Sequence, residues 1–169
     1  GVIDTQVHFR EPGNENKENL ASGSLAAVAG GVTAVFEMPN TNPLTSNPEA
    51  LAYKVTRAAG RMWCDHAFYV GATAENANEL ADLERLPGAC GVKVFMGAST
   101  GNLLVKDDET LRRVLSHGSR RVAIHAEDEY RMNEREGFRE TGRPHSHPIW
   151  RDAKSAMMAT ERVVTIARE

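Results

Sequence analysis

Cysteine is scarce in this sequence: Cys64 and Cys90 are the only two among 169 residues. Two thiols cannot build a disulfide framework, and a reducing, cytoplasmic compartment is the simpler expectation. Neither has a partner at ligand spacing, which argues against a cysteine-based structural zinc site. No apolar run approaches the ~18 residues of a membrane span, so no membrane partner is expected. The opening Gly1-Val2-Ile3-Asp4 has no basic flank or signal-peptide pattern. Low-complexity tracts are absent, and so is a basic stripe. The formal net charge is -3 and the isoelectric point about 6.1, which gives no reason to expect a nucleic-acid partner.

What is present is an ordinary globular composition, 41% hydrophobic and 25% charged. Residues 1–169 suffice for one domain with a genuine core. Short β-branched or aromatic runs recur over Val2 to Phe9, Thr33 to Met38, His66 to Val70, Val92 to Met96 and Arg121 to Ala126. Their starts lie about thirty residues apart, the length of one strand–helix unit. Helical patterns fill the gaps: Leu20 to Ala29, Pro48 to Ala59, Asn76 to Leu86, Asp108 to Ser116 and Ala153 to Arg168. Most end at glycine or proline signals such as Gly30-Gly31, Gly60 and Pro87-Gly88. This alternation predicts an α/β fold with a parallel sheet. The spacing suits a doubly wound sheet or about five βα units of a partial TIM-type (β/α)8 barrel. A full barrel needs about 250 residues, and the sequence starts within a strand pattern and stops within a helical one. It reads as a piece of a longer protein.

Chemistry concentrates at the ends of the predicted strands. Side chains alternate along a strand, so Asp4, Gln6 and His8 share one face, while Ile3, Thr5, Val7 and Phe9 share the other and suit packing on outer helices. Polar groups on the first face need partners, and His8 stands just before a charged loop, where barrels place chemistry. Imidazole there suits a metal ion. Lys93 lies within the apolar run Gly91-Val92-Lys93-Val94-Phe95-Met96-Gly97. Burial drives an unpaired ammonium toward its neutral form. His125 ends the fifth strand on the face of Ala123, opposite Val122 and Ile124. Glu127 and Asp128 either support it or cap the next helix. The pair His145 and His147 lies in a Gly/Pro-rich loop with no strand to aim it, His117 suits a helix C-terminus, and His66 opens the third strand, far from the strand ends.

Asp4-Thr5-Gln6-Val7-His8-Phe9-Arg10-Glu11-Pro12-Gly13 resembles the metal-binding strand of the amidohydrolase superfamily, whose usual pattern is Asp-x-His-x-His. The continuation from Arg10 is similar to the dihydroorotase branch in particular. Met38-Pro39-Asn40-Thr41-Asn42-Pro43 resembles the same branch, and His125-Ala126-Glu127 is similar to the His-Ala-Glu segment of the superfamily. The resemblance implies His8, Lys93 and His125 as metal ligands and Arg10 and Asn40 as substrate-binding residues. It implies one or two Zn2+ ions, with Lys93 carbamylated to bridge them. The implied substrate is a small molecule, dihydroorotate, reversibly hydrolysed to N-carbamoyl-L-aspartate in pyrimidine biosynthesis by water that the metal activates. A further histidine ligand and the aspartate general base are expected beyond residue 169. Gln6 departs from the pattern by standing where the family has its first histidine, and it puts one metal position in doubt. Two alternatives stay open: another cyclic amidohydrolase (hydantoinase, dihydropyrimidinase or allantoinase), or a silent scaffold subunit. Association as a homo-oligomer or with a partner enzyme subunit is compatible with either.

Overall fold

The computed structural model describes residues 1–97 and 101–169. Five strands, β1 (Val2–Val7), β2 (Val32–Glu37), β3 (Asp65–Gly71), β4 (Ala89–Phe95) and β5 (Val122–His125), form one sheet in the order β1-β2-β3-β4-β5. Every pairing is parallel. Sequential order separates the two architectures that spacing left open. A doubly wound sheet reverses its strand order at a switch point, whereas a barrel never does. Right-handed crossovers then place the helices on one face of the sheet. The fold is the partial (β/α)8 barrel.

The helices follow from local signals. In α1 (Leu20–Ala29) the Asn19 side chain accepts from the Ser22 amide while Ser22 answers the Asn19 amide. Asn47 caps α2 (Pro48–Ala58) with Pro48 at its first position, and Asp107 caps α4 (Asp108–Ser116). His117 closes α4, its Nδ1 2.7 Å from the Arg113 carbonyl, as expected of a helix C-terminus. Asp152 caps α7 (Ala153–Ala167).

Three expectations need correction. Asn76 to Leu86 is not one helix but a 3-10 turn (Ala77–Glu79) followed by the single-turn α3 (Leu80–Leu83). Asn76 spends its side chain on the Thr73 amide and on the carbonyls of Ser46 and Gly71, so it holds a loop instead of opening a helix. His147 lies not in a loop but at the start of the short α6 (His147–Trp150), while the short α5 (Glu129–Glu134) follows Asp128. Finally, Ile3 is 58% exposed. β1 is an edge strand, and its helix-side packing is confined to its far end. There Phe9 is buried, and its ring would meet a Cβ added to Gly23 of α1 at 2.5 Å.

The core lies between sheet and helices. Val35, Phe68, Val70, Val92 and Val94 meet Leu20, Leu51, Leu80, Leu111 and Val114 there. The opposite face of β4 carries Gly91, Lys93 and Phe95, and that of β5 carries Ala123 and His125.

Candidate active site at the strand ends

His8 is the first residue after β1 and Asn40 the third after β2. Parallel pairing aligns Val7 with Glu37, which brings the two following loops together. The His8 Nδ1 lies 2.9 Å from the Asn40 Oδ1. An amide oxygen only accepts, so Nδ1 donates and Nε2 keeps its lone pair. Burial, followed by the charge of Arg10, holds His8 below its usual pKa; the Asn40 bond opposes this, while Lys93 and Lys54 add to it. A neutral imidazole is the form that binds a metal.

Arg10 adopts φ 62°, the left-handed region that a side chain with a Cβ occupies at a cost of about 1 kcal/mol. Its loop is held by its neighbour. The buried Glu11 carboxylate accepts from the Leu20 amide at 2.8 Å, from Arg57 Nε at 2.8 Å and from Arg61 Nη1 at 2.6 Å. Burial alone would raise the Glu11 pKa, but Arg61, the Leu20 amide and Arg57 outweigh it and bring it to about 2. Gly13, at φ 99°, lies against the second loop, where an added Cβ would fall 2.5 Å from the Asn42 carbonyl oxygen. With Glu11 so occupied, no carboxylate among the described residues pairs with Arg10.

Behind this pair of loops, Lys54 of α2 and Glu37 of β2 form a wholly buried ion pair, and Lys54 also donates to the Met38 carbonyl at 2.9 Å. Burial pushes the Glu37 carboxyl up and the Lys54 ammonium down. Nothing in the local sequence marks these two as partners, since one stands in a strand run and the other in a helical pattern.

Lys93 is 2% exposed. Among the described residues no carboxylate pairs with it, and burial holds its ammonium below the ordinary lysine range. Its Nζ lies 5.0 Å from the centre of the Phe95 ring. The His125 ring lies 6.1 Å from that same ring, because Phe95 and His125 are paired in register. The His125 Nε2 is 2.7 Å from Glu127 Oε2, and Arg151 holds both oxygens of that carboxylate, its Nε 2.8 Å from Oε1 and its Nη2 on Oε2. Arg151, against the pull of burial, keeps the Glu127 carboxyl below its usual range. Asp128 takes the capping role instead, accepting from the Arg131 amide at the start of α5. Gln6 is exposed on β1, and His145 and His147 are exposed in the 140s segment.

Among the described residues, no three or more of His, Cys, Asp and Glu gather as a metal cluster. What the strand ends provide is different: two imidazoles, each with one nitrogen committed to a neighbouring side chain, and a desolvated amine with no carboxylate. Such a donor set fits a cation only if Lys93 itself supplies the negative charge.

Residues 1–99 match the dihydro-orotase-like family. The chain is 43% identical over 105 residues to the multifunctional protein CAD of Squalus acanthias, covering 61% of this chain and 4% of that protein. It is 39% identical over 130 residues to the dihydroorotase of Methanosarcina mazei, covering 75% of this chain and 28% of that protein. Among solved structures, the L-hydantoinase of Arthrobacter aurescens superposes with a TM-score of 0.89 at 24% identity, over 99% of this chain and 39% of that one. The chain thus spans well under half the length of each. No helix among the described residues is long and apolar enough to cross a membrane.

Proposed function

The chain belongs to the dihydro-orotase-like family, and from that premise we propose that it carries part of the active site of a metal-dependent cyclic amide hydrolase. The substrate we assign is dihydroorotate, reversibly opened to N-carbamoyl-L-aspartate. The observation that carries the reading is Lys93, buried on a strand without an acidic partner among the described residues. A structural lysine would bring its counterion, as Lys54 does with Glu37. A desolvated neutral amine adds instead to carbon dioxide, releasing one proton and leaving a carbamate with one negative charge.

In this assignment His8, His125 and carbamylated Lys93 hold one or two metal ions, with zinc the choice that suits imidazole and oxygen donors. When bound, the metal supplies Lewis acidity and lowers the pKa of water to about 7. The chain's own residues do the rest. Arg10, which makes no ion pair among the described residues, presents its planar fork to the substrate carboxylate. Asn40 has its Oδ1 committed to His8, so its amide NH2 faces a substrate oxygen. Phe95 packs near both Lys93 and His125 and walls the site.

A second reading, a silent subunit that supports a partner enzyme, draws on Gln6. A neutral amide oxygen is a poorer ligand than imidazole for such metals. The test is dihydroorotate turnover and metal content of the protein purified with Zn2+ and bicarbonate. Retained metal with turnover supports the hydrolase. Retained metal without turnover of dihydroorotate or of a hydantoin favours the silent subunit.

A further inference from the structure

The Arg151–Glu127–His125 chain assigns a task to residues well outside the strand. Arg151 follows α6 directly, and its position there is secured twice. Its amide donates to the His147 carbonyl at 2.8 Å, and its guanidinium lies 5.9 Å from the centre of the Trp150 ring. Trp150 is tied in turn by its Nε1, which donates to the Met132 carbonyl at 3.0 Å. From this anchored place Arg151 meets Glu127 edge-on, Nε to Oε1 and Nη2 to Oε2. Two parallel bonds fix the plane of the carboxylate as well as its position. The loop after β4 also crowds Glu127, since a Cβ added to Gly97 would fall 2.5 Å from the Glu127 carbonyl oxygen. A carboxylate has acceptors only, so the His125 nitrogen that faces it must carry the proton.

We propose that Arg151 and Glu127 are positioning residues for His125: Arg151 aims the Glu127 carboxylate, which locks the ring as its Nε2–H tautomer and turns Nδ1 toward the strand ends. The segment carrying α6, which sequence periodicity left without structure, thereby sets the geometry of a group on β5. This deepens the proposed function and rests on reading His125 as a metal-binding residue. A carboxylate held this way has two effects on an imidazole: it removes the competing tautomer, and it stops ring rotation.

The test reads the tautomer directly, in metal-free protein labelled with 15N-histidine, where His125→Gln identifies its resonances. Wild type should show a single Nε2–H tautomer at His125. Glu127→Gln, whose amide can accept or donate, should give a mixture, and so should Arg151→Met. Arg151→Lys, which keeps charge without the fork, should recover part of the wild-type signal. Unchanged signals from His66 and His117 certify that the fold survives. Binding of Co2+ to the same proteins should weaken by about 10- to 100-fold in Glu127→Gln and Arg151→Met. A pure Nε2–H tautomer persisting in Glu127→Gln and Arg151→Met would overturn the proposal, as would mixed tautomers in wild type. If the tautomer behaves as expected but His125→Gln binds Co2+ as tightly as wild type, the positioning stands and the metal-site reading fails.

Discussion

The His8 Nδ1 donates to the Asn40 Oδ1 across 2.9 Å, joining the end of the first strand to the loop after the second. One side chain therefore touches both halves of the proposed chemistry. It fixes the tautomer of a proposed metal ligand with its oxygen and leaves its NH2 for substrate. Asn40→Ala should lower kcat/KM for dihydroorotate by about 10- to 100-fold, the worth of a hydrogen bond to a charged or strongly polarised group. Asn40→Asp, which keeps the acceptor and loses the donor, should raise KM while retaining metal. Steady-state kinetics and metal analysis on both variants separate the two roles; equal metal loss in both would contradict the division.

Lys93 offers a sharper contrast between stability and function. Replacing a buried, unpaired amine by an apolar side chain of similar length removes a desolvation cost. With both proteins metal-free, Lys93→Met is expected to melt no lower than wild type and to gain about 1 kcal/mol or more. The same variant should retain no metal and show no turnover. Thermal unfolding beside metal analysis checks both, and a strongly destabilised Lys93→Met would mean that Lys93 is a structural residue.

Glu11 predicts a pH dependence. Its folded pKa of about 2 lies below the ordinary 4.5, so the unfolded chain binds the proton more readily across that interval. The stabilisation is fully present above pH 4.5 and is lost as pH falls through about 2. Its size is about 2 kcal/mol, after allowing for solvent around the partly exposed Arg57 and Arg61. Urea unfolding of wild type and Glu11→Gln should differ by that amount at pH 6 and converge toward pH 2. A constant difference across the range would show that the ion pairs contribute nothing.

The left-handed Arg10 and the tight contact at Gly13 test the loop itself. Arg10→Gly should relieve about 1 kcal/mol of backbone strain while raising KM for dihydroorotate at least tenfold. Gly13→Ala, strained at φ 99° and pressed on Asn42, should destabilise by about 1–3 kcal/mol and raise KM as well. Denaturation midpoints and KM values report both; an Arg10→Gly variant with unchanged KM would remove Arg10 from the substrate site.

Gln6 decides how many metal positions exist. An imidazole placed there stands two residues before His8, so Gln6→His should raise the bound metal per chain and leave turnover equal or higher. Metal content at saturating Zn2+ measures it, and no increase would mean that the position takes no part in binding.

The strand–helix alternation was legible because periodicities of 2 and 3.6 and the caps at Asn19, Asn47 and Asp107 are local properties of the chain. Residue type and alternation singled out His8 and His125 at strand ends as candidates for chemistry. Sequence could not choose between a sheet that reverses and one that closes; the order of strands did, and order is a matter of which segments pair across more than twenty residues. Nor could it show that Lys54 finds Glu37 while Lys93 finds no acid, or that Glu11 is gripped by Arg57 and Arg61. Those partners lie 17 to 50 positions apart. Local pattern determined the five strands and the capped helices; only packing decided what each charged side chain meets, because burial and pairing are set by the neighbours that folding brings within a few ångströms.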